Sequence, residues 1–278
     1  MSGRLVVCPT PIGNLEDVTL RVLAALRAAD LVACEDTRHT RKLLDRYGVT
    51  GALVSYHEHN ERERAAELVA RMRAGAVVAL VSDAGMPLIS DPGFILVQAC
   101  IAAGLSVEVL PGPSSALAAL VASGLPAERW RFVGFLPRKK TELERLLVAT
   151  PETLVAFESP KRLVATLSLL AGKDPGRPVA VCRELTKLHE EVRRGSAAEI
   201  GAHYEREPPR GEVVLVVAAA PPGEGAPDIQ ERAIGALRAL VDAGARPRPA
   251  AKALSELTGV PANRLYRALT ESADEPSP

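Results

Sequence analysis

Three segments carry residue types that suit ligand binding, and each comes directly after a short apolar run. They are residues 8–15, 82–93 and 111–115, and they are rich in proline, glycine and small polar side chains. In an α/β sheet, ligands bind beyond the carboxyl ends of the strands. The sequence therefore predicts that these segments are loops around one binding site.

The first two loops favour a cofactor without phosphate. Residues 8–15 contain one glycine and no lysine, which matches neither a dinucleotide-binding loop nor a Walker loop. S-adenosylmethionine needs instead a carboxylate for its amine or ribose hydroxyls, small residues for close approach and an apolar slot for adenine. Asp83, Gly85, Leu88 and Ile89 offer these groups in one loop, so we expect this cofactor.

Asp83 and Asp91 lie in the same loop but are interpreted differently. Asp83 ends an apolar strand, where a carboxylate has no packing role, so we expect it to contact the ligand. Asp91 precedes Pro92, and we expect it to cap a helix. Ser114 and Ser115 precede an apolar helix, where capping and ligand binding are compatible.

Residues 35–41 place two carboxylates and two arginines directly after an apolar strand. A solvated helix start and a functional cluster explain such a charge run equally well. His57 and His59 would share one face of a strand, as two metal ligands do. No third ligand is identifiable, so we expect no metal site.

Composition limits the class of protein. With 278 residues and 47% hydrophobic content, the chain can bury a substantial core. Lys plus Arg and Asp plus Glu both total 34, so RNA binding would have to come from local patches.

The four cysteines are far apart and indicate neither a zinc site nor a disulfide framework. Without a leader or an apolar run that could cross a bilayer, we expect a cytoplasmic protein with no membrane partner.

Apolar runs alternate with amphipathic stretches, in the order of βα units with a mostly parallel sheet. The first predicted strands are 5–8, 31–34, 53–56, 77–81 and 107–110. Helices are predicted to begin near Val18, Thr37, Asn60 and Pro92, with Thr37, Asn60 and Asp91 as caps.

A second set of strands is predicted at 131–135, 154–157, 179–182 and 213–217. Residues 220–227 have the composition of a linker, 229–269 are predicted to form three helices, and 272–278 a disordered tail. The predicted domains are therefore 1–111, 112–220 and a helical segment, 228–271. Within that segment, residues 251–269 resemble a helix-turn-helix, although a plain helical hairpin is the commoner outcome.

Basic residues gather locally, and aromatic residues make up only 3% of the chain. This combination favours phosphate contacts over base stacking, if RNA is bound. The clusters are Arg138-Lys139-Lys140, Arg183 with Lys187, Arg193-Arg194, and Arg246, Arg248 and Lys252.

Five motifs together resemble the bacterial 16S rRNA cytidine 2′-O-ribose methyltransferases of the tetrapyrrole methylase superfamily. They occur in order within residues 5–217 and lie at 9–15, 35–38, 82–93, 134–137 and 183–187. The resemblance implies two α/β domains, the second with a mixed sheet, and a small C-terminal helical extension. It also implies a homodimer that binds S-adenosylmethionine between the domains and methylates 16S rRNA in its decoding region, within the small ribosomal subunit.

The resemblance also implies residue roles. The cofactor contacts would be Pro11, Ile12, Gly13, Asp83, Leu88, Ile89, Ser115, Ala116, Phe157, Arg183, Gly211 and Glu212. The catalytic prediction comes instead from the clustering of charged residues at strand ends: Glu35 or Asp36 would accept the proton, and Lys187 would orient the acceptor. The local basic residues Arg38, Arg138, Lys139 and Lys140 are the predicted RNA contacts.

Two positions depart from the pattern of the family. Met86 replaces the expected threonine, and Lys161 replaces a histidine in the motif at 158–163, which argues against a histidine base there. Two alternatives remain open: a methylase of a small tetrapyrrole, and an RNA-binding factor of the same fold without turnover.

Overall fold

The structure is a computed structural model that describes residues 3–221 and 229–271. The chain forms two compact units, Met1–Ala220 and Pro221–Pro278. No helix among the described residues has both the length and the apolar character required to span a bilayer.

The first sheet of the larger unit is wholly parallel, with strand order β3-β2-β4-β1-β5. Its strands are β1 Arg4–Cys8, β2 Leu31–Cys34, β3 Leu53–Ser55, β4 Val77–Val81 and β5 Ser106–Val109. Its helices are α1 Leu20–Ala28, α2 Thr37–Arg46, α3 Glu61–Arg73 and α4 Phe94–Ala102, and a 3₁₀ turn covers Leu15–Asp17.

Both faces of this sheet are buried, as parallel sheets require. Successive residues of β1 point to opposite faces: Leu5 and Val7 pack into the core formed with α3 and α4, and Val6 and Cys8 into the core formed with α1 and α2. This explains why β1 is a continuous apolar run rather than an alternating one.

The second sheet is mixed, with order β6-β7-β10-β8-β9, in which only β6 and β7 pair in parallel. Helix α5, Ser115–Ser123, packs on one face, and three later helices pack on the other. The strands are β6 Trp130–Phe135, β7 Thr153–Glu158, β8 Pro178–Arg183, β9 Glu191–Ser196 and β10 Val213–Val217. The helices of the other face are α6 Lys140–Ala149, α7 Pro160–Ala171 and α8 Ala197–Arg206.

The smaller unit contains α9 Ile229–Asp242, α10 Pro247–Thr258 and α11 Ala262–Glu271, as predicted. Leu237, Ala251 and Leu265 form its core. Gly259 ends α10 with φ of 73°, a conformation that favours glycine. The predicted linker lies mostly, and the predicted tail wholly, outside the described residues.

The predicted strands are confirmed to within about two residues, and α2 begins at Thr37 as predicted, but two predicted caps are wrong. Asp36, rather than Thr37, caps α2 and accepts a hydrogen bond from the Arg38 amide. Helix α4 begins at Phe94 after Gly93, so Asp91 does not cap it. Strand β9 was not predicted, because its sequence, EVRRGS, contains three charged residues and one apolar residue and resembles a solvated segment.

Candidate functional site

The loops after β1 and β4 meet at the point where the order of the first sheet reverses, as expected for a ligand site. Thr10 and Gly85 exchange two backbone hydrogen bonds, of 2.9 and 3.0 Å. The Thr10 hydroxyl donates to the Ser82 carbonyl at 3.0 Å, and the Ser82 hydroxyl donates to the Gly85 carbonyl at 2.9 Å. These bonds fix the two loops to each other.

The loop at 82–93 contains backbone conformations that side chains rarely adopt. Gly85, Leu88, Ser90 and Gly93 have φ values of 81°, 72°, 69° and 144°. For Leu88 and Ser90 such values cost about 1–3 kcal/mol each and persist only where the surroundings hold them. The Leu88 side chain packs into the core of the first sheet, and a Cβ at Gly93 would lie 2.9 Å from it.

The first cavity has a volume of about 380 Å³ and lies among loops from both sheets. Its apolar wall is formed by Ile12, Met86, Ile89, Phe135, Phe157, Leu185, Val213 and Val214. Three acidic residues also line it, Asp91, Glu158 and Glu212, and none of the described lining residues is basic. Such a cavity disfavours a phosphate and suits a ligand that is partly apolar and positively charged.

Glu158 is the most buried of these carboxylates. It accepts hydrogen bonds of 2.7 Å from the Ser159 amide and the Thr166 hydroxyl, and Arg162 lies 3.5 Å away. The Arg162 guanidinium also donates to the carbonyls of Leu136 and Pro137, at 3.2 and 2.6 Å. Arg162 thereby connects Glu158, in the wall of the cavity, to the loop between β6 and α6.

A second cavity, of about 300 Å³, adjoins the first and is also lined by Ile12, Ala84 and Glu212. Its other walls come from the loops after β1 and β4, from α2 and from Lys187. The Lys187 ammonium lies 2.8 Å from a Glu184 oxygen and 2.9 Å from a Glu212 oxygen. Burial lowers its pKa, but these hydrogen bonds outweigh that effect and the net shift is upward. The group therefore remains a cation.

Gly13 joins the two halves of the site by close approach. A Cβ at this position would lie 2.5 Å from Lys187 Cγ and 2.7 Å from Thr186 Oγ1. The neighbouring Asn14 amide donates to Thr186 Oγ1 at 2.9 Å. Only glycine lets the loop after β1 lie against the loop after β8 in this way.

The predicted cofactor residues divide between the cavities. Three of them, Leu88, Ala116 and Arg183, line neither cavity, because Leu88 and Ala116 pack in cores and Arg183 pairs with Glu191 at 3.1 Å. The predicted cofactor residues that line the first cavity are Ile12, Ile89, Ser115, Phe157, Gly211 and Glu212. Those that line the second cavity are Pro11, Ile12, Gly13, Asp83 and Glu212.

The predicted catalytic carboxylates lie beside the cavities, and neither lines them. The Asp36 amide donates to Asp83 Oδ1 at 3.2 Å. Hydrogen bonds from Arg38 hold the pKa of Asp36 down at about 2. Burial, followed by the nearby Asp83 and Glu58 carboxylates, raises the pKa of Glu35. Glu35 is thus the better proton acceptor of the two.

The predicted RNA contacts in the loop between β6 and α6 are exposed. Lys139 forms an ion pair with Glu142 at 3.3 Å, and Arg138 and Lys140 are open to solvent. Arg38 is exposed and pairs with Asp36. These side chains are accessible to a large ligand.

Sequence reasoning missed several lining residues, and two of them had a usable signal. Phe135 lies in the motif at 134–137 and Glu158 begins the motif at 158–163, yet neither was assigned to the site. Cys182, Val213 and Val214 are buried strand residues whose composition reveals no ligand. In the described part of the chain, no three potential metal ligands lie close enough together to hold an ion, and His57 and His59 have no third ligand beside them.

Comparisons with known proteins identify the family. Residues 4–201 match the family of Tetrapyrrole (Corrin/Porphyrin) Methylases. The chain is 46% identical over 279 residues to ribosomal RNA small subunit methyltransferase I of Mesorhizobium japonicum, an alignment that covers 97% of this chain and 92% of that protein.

Solved structures show the same fold. The uroporphyrin-III-C-methyltransferase of Thermus thermophilus has a TM-score of 0.58 at 26% identity, covering 78% of this chain and 94% of that one. A structure of this Thermus thermophilus enzyme complexed with S-adenyl homocysteine has a TM-score of 0.54 at 23% identity, covering 77% and 97%. The chain therefore belongs to the tetrapyrrole (corrin/porphyrin) methylase family, together with the ribosomal RNA small subunit methyltransferase I proteins.

Proposed function

We propose that this protein transfers a methyl group from S-adenosylmethionine to the 2′-hydroxyl of a cytidine in the decoding region of 16S rRNA. The observation that carries the proposal is the first cavity, which combines three acidic residues and an apolar wall without a basic residue. It lies in a chain that is 46% identical to a ribosomal RNA small subunit methyltransferase I.

The residues of the first cavity fit this cofactor. Its apolar wall, with Phe157 and Ile89, suits an adenine ring, and Ser115 and Glu212 suit polar groups of the ribose and amino acid. When bound, S-adenosylmethionine supplies a methyl group on a positively charged sulfur. The acidic lining of the cavity stabilises that positive charge.

The protein must also hold the acceptor oxygen in line and remove its proton. We assign proton removal to Glu35, which lies just before α2, the helix whose Thr40 and Lys42 line the second cavity, and whose raised pKa favours it over Asp36. Lys187 orients the acceptor, because a paired ammonium has no site that can accept a proton. A Glu35→Gln variant with a single-turnover rate near that of the wild type would contradict the assignment to Glu35.

We propose that the protein acts as a homodimer on the small ribosomal subunit in the cytoplasm. Helices α4 and α5 each expose two apolar side chains on one face, Phe94 with Ile101 and Leu117 with Val121. A second copy of the chain, as in the family that the sequence resembles, would cover these faces. A monomer in sedimentation velocity at micromolar concentration would contradict the dimer.

The function is tested with methyl-labelled S-adenosylmethionine and small ribosomal subunits that lack the modification. A 2′-O-methyl group blocks alkaline cleavage at its own nucleotide, so hydrolysis of the RNA should release a labelled dinucleotide. Subunits that already carry the modification are the control and should take up no label. If the unmodified subunits yield only labelled mononucleotides, or no label, the proposed acceptor is wrong.

A further inference from the structure

The second cavity differs from the first because it carries basic side chains beside its two carboxylates, Asp83 and Glu212. His39, Lys42 and Lys187 line it, whereas the described lining of the first cavity has no basic residue. The side chains of His39 and Lys42 form no ion pair or hydrogen bond with any described residue, so they are free to meet a ligand. Of the two cavities, the second therefore offers basic side chains to an anionic ligand.

The carboxylates of the second cavity already have partners. Glu212 shares the Lys187 ammonium with Glu184, at 2.9 and 2.8 Å, and Asp83 accepts a hydrogen bond from the Asp36 amide. They therefore offset less of the positive charge of Lys42 and His39 than their number suggests.

Thr40 provides an independent indication of a ligand. It is 3% exposed, it lines the second cavity, and its Oγ1 has no hydrogen-bond partner among the described oxygen and nitrogen atoms. The neighbouring Cys34 thiol, whose pKa the hydroxyl lowers slightly against the larger effect of burial, is only a weak partner. Buried hydroxyls are normally satisfied, so this one is available to a ligand oxygen.

We propose that the second cavity binds the phosphodiester and ribose next to the methylated hydroxyl, with Lys42 and Lys187 at the phosphate and the Thr40 hydroxyl on a sugar or phosphate oxygen. This assignment rests on the proposed function. The walls that both cavities share, Ile12, Ala84 and Glu212, place the acceptor beside the methyl donor. The volume of about 300 Å³ lies at the lower end of the range for ligand pockets.

Lys42→Ala and Thr40→Val test the assignment, since the first removes an exposed charge and the second keeps the shape of a buried side chain. Binding of unmodified small subunits is measured by filter binding at several KCl concentrations. For Lys42→Ala we expect about a 3–10-fold weaker Kd and a salt slope that is smaller by about 0.7, the value for one lost phosphate contact with a single strand. For Thr40→Val we expect about a 3–10-fold weaker Kd for subunits in the same assay, typical of one lost hydrogen bond.

The controls separate this site from the cofactor site and from general effects of charge. Lys173→Ala removes a lysine that follows the far end of α7 from the first cavity and pairs with Glu144, and it should leave the salt slope unchanged. The affinity for S-adenosylmethionine, measured by calorimetry, should stay within about twofold of the wild type in all three variants. Thr40→Val should unfold at or above the wild-type temperature, because it removes an unpartnered hydroxyl.

Two results would overturn the assignment. One is an unchanged salt slope for Lys42→Ala together with an unchanged Kd for Thr40→Val. The other is a loss of S-adenosylmethionine affinity in place of subunit affinity, which would assign the cavity to the cofactor. Because binding is measured without turnover, these results are distinct from a failure of the wild-type protein to methylate the RNA.

Discussion

Asp91 is a half-buried carboxylate in the wall of the first cavity, and it has no helix to cap. Burial, and then the charges of Glu35 and Asp83, raise its pKa from 3.8 to about 6. Ser90, directly before it, is held at a φ of 69°. A strained backbone next to a costly carboxylate is expected at a functional site, where stability is given up for binding.

The raised pKa predicts how stability changes with pH. Because the native pKa lies above the unfolded value of 3.8, Asp91 contributes stability fully below about pH 4, and this contribution is lost as the pH rises through about 6. Asp91→Asn should therefore gain about 1–2 kcal/mol relative to wild type between pH 4 and pH 8, after allowance for solvent screening. Urea unfolding at both pH values measures this gain. A difference between the two proteins that stays constant with pH would show that Asp91 titrates normally.

The loop between β6 and α6 depends on the helix that follows β7. Arg162 in α7 holds the carbonyls of Leu136 and Pro137, and it is the charged partner of the buried Glu158. The exposed basic residues at 138–140 are thereby fixed relative to the first cavity.

Arg162→Met should be strongly destabilising, because it keeps the aliphatic stem but leaves a buried carboxylate without its cation. We expect a loss of about 2–4 kcal/mol in urea unfolding, together with weaker binding of small subunits as the basic loop loosens. Lys139→Met removes a cation from the exposed pair with Glu142 in the same loop and should cost under about 1 kcal/mol. Equal costs for the two variants would contradict the role given to Arg162.

At the scale of the whole molecule, all four cysteines are buried in the larger unit. Burial raises the pKa of Cys8 to about 12 and those of Cys100 and Cys182 to about 11, and it also raises that of Cys34. A thiolate is the reactive form, so native thiols should be inert.

A thiol reagent at pH 8 should thus label Cys8, Cys34 and Cys100 of the native protein only as fast as the larger unit opens, whereas Cys182 lines the first cavity. In denaturant, all four thiols should react at once, which serves as the control. Rapid labelling of Cys8, Cys34 or Cys100 under native conditions would show that the larger unit opens locally.

Much of the fold follows from the sequence alone. Continuous apolar runs require buried strands, and their alternation with amphipathic stretches requires βα units, so the parallel sheet, the three C-terminal helices and the family were predictable. The same local signals placed the loops after β1, β4 and β5 at a binding site, because a parallel sheet brings its strand ends to one edge.

The division of that site into two cavities was decided only by the tertiary structure. Asp83 and Gly13 line the second cavity and Phe157 lines the first, whereas the family resemblance predicts that all three contact the cofactor. The difference in charge between the two cavities arises from residues far apart in sequence, such as Lys42, Asp91 and Glu158, and no local sequence pattern shows which of them come together. The three loops expected from the sequence do form one site, but the packing of the second sheet against them determines that it has one acidic cavity and one with exposed cations.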